Sequence, residues 1–421
     1  MSPQALLELS AELLRAVLRL DAPADGIVSA FFRRHRGLGP RERHALAETA
    51  YAVLRRKPQL QHLARSGHGP LERRLAMLGW QGDGAFLRSG LSAQERSWLE
   101  DVRDIDLSTL AEPLRHNLPV WFAQMLKAEL PEGEFWPLVQ ALTGPAPLDL
   151  RVNELKCRRD EALAALRAQG IEAEPTPYSP WGLRLSEKVA VNRLAMFREG
   201  HLEVQDEGSQ LLALVTGATR GEMIVDFCAG AGGKTLALGA MMRSTGRLYA
   251  FDIAAHRLEA LKPRLARSGL SNVHPAAIAG ERDERVKRLT GKIDRVLVDA
   301  PCTGLGTLRR NPDLKWRQDA AAVLELQSRQ VALLDAASRL LRPGGRLVYG
   351  TCSLLAAENE KVCEAFEQRH GERFEALPLE PVLRAARVGQ AAALCRGPYL
   401  RLWPHRHGTD GFFAAAWQRR A

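Results

Sequence analysis

Two cysteines stand directly after runs of residues that are typical of buried strands. Cys302 follows the run 293–298 in Asp299-Ala-Pro-Cys302, and Cys352 follows the run 346–349 in Gly350-Thr-Cys-Ser353. A lone cysteine is most often a small buried hydrophobe. Two cysteines at the carboxyl ends of neighbouring strands lie where open α/β sheets bind their ligands. The pair therefore indicates nucleophilic thiol chemistry.

Thiols in this arrangement suit a reaction on a pyrimidine base. A thiolate that adds to carbon 6 makes carbon 5 nucleophilic enough to take a methyl group from a sulfonium donor, and a second thiol near carbon 5 could help to release the adduct. Asp299 could hold the polar edge of the base, and Lys234 could lower a thiol pKa or neutralise charge. A helix cap and a solvated lysine are the alternative interpretations of these two residues.

Residues 226–235 form a second candidate site, because they join an apolar strand to an apolar helix through a run of small residues. Small side chains let the backbone approach a ligand, and the helix that follows presents unpaired amides. Asp252 ends the next predicted strand, where doubly wound folds place an acid that accepts hydrogen bonds from a ribose hydroxyl. An N-cap for the following helix is the alternative role of Asp252.

The spacing inside this loop narrows the choice of cofactor. Gly230 lies too close to Lys234 for a phosphate-binding P-loop, and the loop lacks the Gly-x-Gly-x-x-Gly pattern of dinucleotide enzymes. The loop therefore favours S-adenosylmethionine.

The charge of the chain favours a polyanionic partner. Lys and Arg number 59 against 49 Asp and Glu, which gives a net charge of +10. Residues 31–74, the basic segment, hold eleven Lys or Arg and three Glu. This segment is a candidate nucleic-acid surface, and a solvated helical face is the alternative.

Cysteine usage and the N-terminal pattern bear on location. Six cysteines without a Cys-x-x-Cys pair argue against a disulfide framework and against a structural zinc site, and we expect no metal. The first residues alternate apolar with charged side chains, unlike a secretory signal, and no run approaches membrane-spanning length. We therefore expect a cytoplasmic monomer that does not enter a membrane.

Three domains are predicted from the pattern of apolar residues. Residues 1–130 carry apolar side chains at helical spacing. Residues 131–220 have the mixed pattern of a small α+β subdomain, with strands at 148–152 and 182–185 and a helix over 159–169. Strands and helices alternate over residues 221–421, which predicts an α/β fold with a parallel sheet between helices.

The elements of the last domain are predicted from apolar runs with polar ends. The strands are expected at 223–227, 248–252, 293–299 and 346–351, and a long helix over 320–341. The apolar segment 411–418 is expected to add a strand at the edge of the sheet.

Several motifs make residues 140–421 similar to the Sun, or RsmB-like, family of RNA 5-methylcytosine methyltransferases. The motifs are Val204-Gln-Asp-Glu-Gly-Ser-Gln210, Asp299-Ala-Pro-Cys302, Asn311-Pro-Asp-Leu-Lys-Trp316, Gly350-Thr-Cys-Ser353 with Glu358-Asn359, and His407-Gly-Thr-Asp-Gly-Phe-Phe413. The resemblance implies a class I methyltransferase (Rossmann-like) domain. It also implies transfer of a methyl group from S-adenosylmethionine to carbon 5 of a cytosine in RNA, through a covalent cysteine–base intermediate.

The resemblance assigns roles to residues of this sequence. It implies that Cys352 is the nucleophile, that Cys302 assists product release, and that Asp299 and Lys234 are their partners in the active site. Asp252, Asp299 and the glycine loop would hold the cofactor, the loop residues being Cys228, Ala229, Gly230, Ala231, Gly232, Gly233 and Lys234.

Two features depart from the family's pattern. The usual Ala-Pro-Gly-Gly-Lys is Gly230-Ala-Gly-Gly-Lys234 here, which keeps small side chains and loosens the backbone. Residues 275–280, where members carry a Gly-Asp that contacts the adenine side of the cofactor, contain no acid.

The helical N-terminal region is similar, in a shortened form, to the NusB-like RNA-binding domain of the bacterial members. The similarity is carried by Leu38-Gly-Pro-Arg-Glu-Arg43 and Tyr51-Ala-Val-Leu-Arg55. It implies that the basic segment contacts RNA through its phosphates.

Ribosomal RNA is the favoured substrate, and tRNA is the second candidate. A methyltransferase acting on an exocyclic amine is a rival, but that chemistry needs no thiol and usually presents Asp/Asn-Pro-Pro-aromatic where this chain has Asp299-Ala-Pro-Cys302. A non-enzymatic RNA-binding or ribosome-assembly protein that keeps the fold is the other rival. The two intact cysteines argue against it.

Overall fold

The computed structural model describes residues 1–187 and 189–421. The chain forms two compact units. The first, the helical unit, comprises Met1–Pro145 and Thr307–Ala320, and the second, the sheet unit, comprises Ala146–Gly306 and Ala321–Ala421.

The first ten α-helices precede every strand, and the remaining helices are interspersed with strands. They are α1 Pro3–Val17, α2 Ala24–Arg34, α3 Pro40–Arg55, α4 Lys57–Leu63, α5 Leu71–Gly79, α6 Gly84–Ser89, α7 Ala93–Arg103, α8 Glu112–His116, α9 Val120–Glu129, α10 Phe135–Thr143, α11 Arg159–Ala168, α12 Ala195–Arg198, α13 Glu207–Val215, α14 Gly233–Met241, α15 Ala255–Ser268, α16 Glu284–Lys287, α17 Leu314–Arg317, α18 Ala320–Ser338, α19 Glu360–His370, α20 Leu379–Ala385 and α21 Pro404–His407. In the described part of the chain, none of them is long and apolar enough to cross a lipid bilayer.

The strands form two sheets, and both belong to the sheet unit. They are β1 Leu148–Val152, β2 Ala173–Pro175, β3 Gly182–Leu185, β4 Leu202–Val204, β5 Met223–Asp226, β6 Arg247–Asp252, β7 Val273–Ala277, β8 Ile293–Asp299, β9 Leu341–Thr351, β10 Phe374–Ala376, β11 Cys395–Arg396, β12 Tyr399–Leu402 and β13 Phe412–Arg419.

The helical unit is held by amphipathic helices whose apolar faces share one core. Leu7 and Leu14 of α1 pack in this core with Leu46 and Val53 of α3 and Phe31 of α2, and all five are fully buried. The prediction of helices in this part of the chain is confirmed.

Residues 307–320 complete the helical unit from far along the sequence. Lys315 Nζ donates to the carbonyl of Arg55 at 2.8 Å, and Trp316 Nε1 donates to the carbonyl of Leu54 at 2.7 Å. Both cap the last turn of α3, where carbonyls have no partner within the helix. Lys315 therefore serves as a buried cap, and burial lowers its pKa to about 7.

The smaller sheet has the order β2-β3-β1-β4, and all its strands are antiparallel. Helix α11 covers it, and Ala162 and Leu166 of that helix pack against Leu150 and Leu183. The two strands and the helix predicted for this region are confirmed.

The larger sheet has the order β11-β12-β13-β9-β8-β5-β6-β7, and β10 pairs with β13. The five strands from β9 to β7 in this order are parallel, and β13 is antiparallel to β9. This arrangement confirms the predicted Rossmann-like fold class. Parallel neighbours bring the carboxyl ends of β5, β6, β8 and β9 to one edge, where the candidate residues lie.

The predicted position of the last strand is wrong. Strand β13 is not at the edge, because it lies between β9 and β12 and also pairs with β10. Residues 412–417 are all buried, which is the pattern of a strand covered on both faces. The apolar run predicted a strand correctly. It did not indicate that β12 pairs with the far side of β13, and that β11 pairs with β12, so that the sheet continues beyond β13.

Candidate active site

The two cysteines lie side by side because their strands are parallel and in register. Asp299 at the end of β8 pairs with Gly350 near the end of β9, and the amide of Ala300 donates to the carbonyl of Gly350 at 2.9 Å. The loops that follow bring Cys302 Sγ to 3.4 Å from Cys352 Sγ. Two thiols at this separation can act on adjacent carbon atoms of one planar ring.

The contact between the two thiols affects the acidity of Cys302. The pKa of Cys302 is raised well above its usual range, first by its hydrogen bond with Cys352 and then by burial. Burial also raises the pKa of Cys157, Cys228 and Cys363, which disfavours a thiolate at those positions.

Lys234 and Asp299 form a partly buried ion pair at the same edge of the sheet. Lys234 Nζ lies 2.7 Å from Asp299 Oδ2, and the lysine side chain is only 11% exposed. Burial opposes the charge of Lys234, but Asp299 outweighs that cost and raises its pKa. Lys234 is therefore a paired cation rather than the solvated lysine of the alternative interpretation.

The glycine loop between β5 and α14 needs its glycines for two different reasons. Gly230 has a φ of 56° and Gly232 a φ of 82°, and both values lie in the left-handed region that favours glycine. A Cβ on Gly232 would lie 2.2 Å from Leu261 Cδ1, so this residue also allows close packing of the loop on α15. The Gly230 variation from the family's pattern fits the loop's observed backbone.

Arginines hold the carbonyl side of this loop. Arg151 from β1 donates to the carbonyl of Gly233 at 3.2 Å, and Arg264 from α15 donates to the carbonyl of Ala231 at 2.6 Å. Glu203, which is almost fully buried, pairs with Arg264 at 2.9 Å. The small sheet thus supports the loop through β1 and β4, which was not predicted from the sequence.

Asp252 has the position predicted for a ribose-binding acid, and it also has the helix-capping contact. Its Oδ1 accepts from the amide of Ala254 at 2.7 Å, and its Oδ2 accepts from the amide of Gly230 at 2.8 Å. Each carboxylate oxygen has two lone pairs, so these bonds leave acceptor capacity for ligand hydroxyls.

A cavity of about 760 Å³ brings the candidate residues together. It is lined by ten of the eleven predicted site residues, namely Cys228, Ala229, Gly230, Ala231, Gly233, Lys234, Asp252, Asp299, Cys302 and Cys352. Gly232 is the remaining one, and its role is the packing contact with Leu261 described above. The volume is in the range of cofactor and ligand sites.

The cavity has further lining residues that the sequence analysis missed. Ile253 follows Asp252 and is 54% exposed, although it is apolar. Glu281 lies one residue beyond the acid-free region 275–280, and Arg329 comes from α18. Position after a strand could have indicated Ile253 and Glu281, whereas no local pattern marks Arg329.

Gly306 is a point of close approach between three backbone segments. Its amide donates to the carbonyl of Cys352 at 2.8 Å, and its carbonyl accepts from the amide of Gly411 at 2.9 Å. A Cβ on Gly306 would lie 2.3 Å from the oxygen of Gly411 and 2.7 Å from that of Cys352. These contacts explain the glycine at position 306, which follows Cys302, and the glycine at position 411, which directly precedes β13.

A parallel sheet with a glycine loop, an acid at the end of its second strand and a cavity at its carboxyl edge fits a class I methyltransferase. Comparison with known proteins agrees. A family model for the 16S rRNA methyltransferase RsmB/F matches residues 213–418, and one for the RsmF/B-like ferredoxin-like domain matches residues 118–192. The chain belongs to the RsmB/F methyltransferase family.

Similar proteins extend over the whole chain. A probable ribosomal RNA small subunit methyltransferase B from Synechocystis is 31% identical over 96% of this chain and 97% of its own length. The crystal structure of PH0851 has a TM-score of 0.82 at 24% identity and covers 100% of this chain and 99% of that one. The structure of NSun6 from Pyrococcus horikoshii with SFG has a TM-score of 0.62 at 21% identity, over 72% of this chain and 98% of that one.

Replacing Gly306 with alanine should displace the loop that carries Cys302. The added Cβ overlaps two carbonyl oxygens, so we expect a loss of about 1–3 kcal/mol in unfolding free energy and about a 10²-fold fall in methyl-transfer rate. Gly37→Ala is the control, because nothing lies within 4 Å of a Cβ at that position. Thermal unfolding and a transfer assay measure the two effects, and wild-type values for Gly306→Ala would contradict the close-approach argument.

Proposed function

We propose that this protein transfers a methyl group from S-adenosylmethionine to carbon 5 of a cytosine in RNA. The observation that carries the proposal is the pair of thiols 3.4 Å apart in a cavity that also holds the glycine loop. Membership of the RsmB/F family and the name of the Synechocystis relative support ribosomal RNA as the substrate.

The cavity residues fit this cofactor by the chemistry of their donors and acceptors. The loop 228–234 offers small side chains and the amide end of α14, and Asp252 offers acceptors for ribose hydroxyls. When bound, S-adenosylmethionine supplies a methyl group on a positively charged sulfur. The NSun6 neighbour, crystallised with the S-adenosylmethionine analogue SFG, supports the choice of cofactor.

In the proposed reaction Cys352 is the nucleophile. Its thiolate forms a bond to carbon 6, and the electron pair of the 5,6 double bond moves to carbon 5. Carbon 5 takes the methyl group, and the pair of the broken bond stays on the cofactor sulfur. Loss of the proton from carbon 5 restores the double bond and expels the Cys352 thiolate.

Cys302 is the proposed acceptor of the carbon 5 proton. The main cause of its raised pKa is the hydrogen bond with Cys352. Once Cys352 is bonded to carbon, its thiol no longer shares a hydrogen bond with Cys302, and a Cys302 thiolate at this position can take the proton from carbon 5.

Asp299 is the proposed contact for the polar edge of the base. Its Oδ2 lies 2.7 Å from Lys234 Nζ, and a carboxylate has more acceptor sites than one ammonium uses. A base amino group can therefore bind Asp299 without displacing Lys234.

The helical region 1–130 is the proposed RNA-binding domain, with 131–220 as the supporting subdomain and 221–421 as the catalytic domain. The exposed cations of the basic segment are Arg33, Arg34, Arg36, Arg41 and Arg65. Arg55 is half-buried and donates to the carbonyl of Arg309, so it acts within the helical unit. The location we propose for this protein is the cytoplasm, and the oligomeric state we propose is a monomer.

Transfer RNA remains the second candidate substrate. Bisulfite sequencing of RNA from a deletion strain and its parent distinguishes the two substrates. The cytosine that resists conversion only in the parent lies in ribosomal RNA if that is the substrate and in tRNA if that is. An amine methyltransferase that does not act on cytosine, or a binding scaffold, predicts no cytosine that is protected in the parent and converted in the deletion strain.

Cys302→Ala should accumulate a covalent protein–RNA adduct. The variant can add Cys352 to the base and accept the methyl group, but it lacks the proposed base for the elimination step. A denaturing gel with labelled RNA and cofactor detects the species, and adding Cys352→Ala should remove it. Cys157→Ala, in the small-sheet region, is the control. Normal turnover by Cys302→Ala without an adduct would sink the two-thiol assignment.

Asp252→Ala should weaken cofactor binding by about 1–3 kcal/mol through loss of a charge-assisted hydrogen bond. Calorimetry with S-adenosylhomocysteine and its 2′-deoxy analogue separates a ribose contact from loop support. The wild type should discriminate between the two ligands and the variant should not. Glu284→Ala, which removes an exposed carboxylate, is the control. Equal discrimination by both proteins would leave Asp252 as a helix cap.

Replacing Arg33, Arg34, Arg36 and Arg41 with glutamine should reduce the salt dependence of RNA binding. Each lost phosphate contact lowers the slope of log K against log salt by about 0.7–0.9. A control with the same change in charge replaces the exposed residues Arg384, Arg387, Arg396 and Arg420. Equal slopes for the first variant and the wild type would mean that the basic segment is only a solvated face.

A further inference from the structure

Glu358 is a fully buried carboxylate close to both cysteine loops. It is 0% exposed and lies between β9 and α19. A buried carboxylate is costly unless hydrogen bonds satisfy it, so its donors indicate what it holds in place.

One oxygen of Glu358 binds the loop after β8. Its Oε1 accepts from the amide of Thr303 at 2.8 Å and from Gln330 Nε2 at 3.1 Å. Gln330 also donates to the carbonyl of Pro301 at 2.9 Å. These bonds fix the residues on both sides of Cys302.

The other oxygen joins that loop to the one after β9. Its Oε2 accepts from Thr303 Oγ1 at 2.6 Å and from the hydroxyl of Ser353, the residue that follows Cys352. One carboxylate thus holds the neighbours of both thiols.

The backbone around Glu358 is itself anchored to β9. The hydroxyl of Tyr349 donates to the carbonyl of Glu358, and Asn359 Nδ2 donates to the carbonyl of Ser353 at 3.1 Å. Asn359 Oδ1 accepts from the hydroxyl of Thr351. The carboxylate therefore has a fixed position from which to set the geometry of the loops.

We propose that Glu358 is a positioning residue that sets the separation of Cys302 and Cys352 and so enables release of the methylated base. The inference rests on the proposed function for its catalytic consequence, whereas the positioning itself rests on the contacts. Glu358 touches neither thiol, and it acts through Thr303 and Ser353.

The chemistry of the contacts explains why a carboxylate is needed. Four donors converge on the two oxygens, and an ionised carboxylate accepts all four. Glutamine keeps one accepting oxygen but turns a donor toward two hydroxyls, so it should retain part of the arrangement. Alanine should retain none of it.

The separation of the thiols can be measured without catalysis. Dibromobimane becomes fluorescent when both of its arms react with thiols, so its rate of cross-linking reports how closely Cys302 and Cys352 approach. Cys302→Ala gives the background from other cysteines.

We expect Glu358→Ala to slow cross-linking and to lower kcat, each by about tenfold or more, with Glu358→Gln intermediate. The KM for RNA and the Kd for S-adenosylhomocysteine should stay near the wild-type values.

Glu367→Ala is the matched control in the same helix region. Its carboxylate accepts from Trp417 Nε1, and Trp417 pairs with Leu347, five residues before Cys352. If Glu358→Ala does not fold, Thr303→Val removes one donor from the same carboxylate while keeping the side-chain volume. It should shift cross-linking in the same direction.

Unchanged cross-linking in a folded Glu358 or Thr303 variant overturns the inference. An equal effect of Glu367→Ala also overturns it, because that result means general loosening of the sheet unit. If cross-linking depends on Glu358 but the wild type forms no 5-methylcytosine, the proposed function fails and the positioning role stands.

Discussion

The site depends on the parallel pairing of β8 with β9. Asp299 opposite Gly350 fixes which residues leave the sheet together, and the two loops begin side by side for that reason. A parallel sheet must be covered on both faces, so this pairing also requires helices on both faces, while β13 protects the open side of β9 by pairing with it. The thiols are therefore close because of a register set several residues earlier, within an apolar core that tolerates little shift.

Polar contacts then convert this coarse placement into a defined geometry. On one side, Glu358 holds the residues after both cysteines, and Gly306 lets three backbone segments meet. On the other, Arg151 and Arg264 hold carbonyls of the glycine loop. These groups are buried or nearly so, where hydrogen bonds are strong and an unpaired partner is costly. Precision at the cavity thus comes from residues that lie outside its most reactive positions.

The sequence predicted what depends on local pattern. The bounds of β8 were predicted without error, because a strand-like run ends in a polar residue and a proline. The predicted catalytic and loop residues stand out because their types and order are unusual, and all but Gly232 line one cavity. Arg151 and Glu358 were not given roles, because Arg151 contacts Gly233, 82 residues away, and Glu358 contacts Thr303, 55 residues away, and no local signal joins either pair. The edge position assigned to β13 failed for a related reason, since an apolar run does not specify its neighbours.

The return of residues 307–320 to the helical unit bears on how the chain folds during synthesis. The first 145 residues leave the ribosome without the segment that caps α3 through Lys315 and Trp316. At typical elongation speeds the missing segment follows about 10–30 s later. Until then the carbonyls at the end of α3 and the apolar surface that Trp316 covers stay open to water or to chaperones. The nascent helical unit is thus complete only after four of the nine strands of the larger sheet, β5 to β8, have been made.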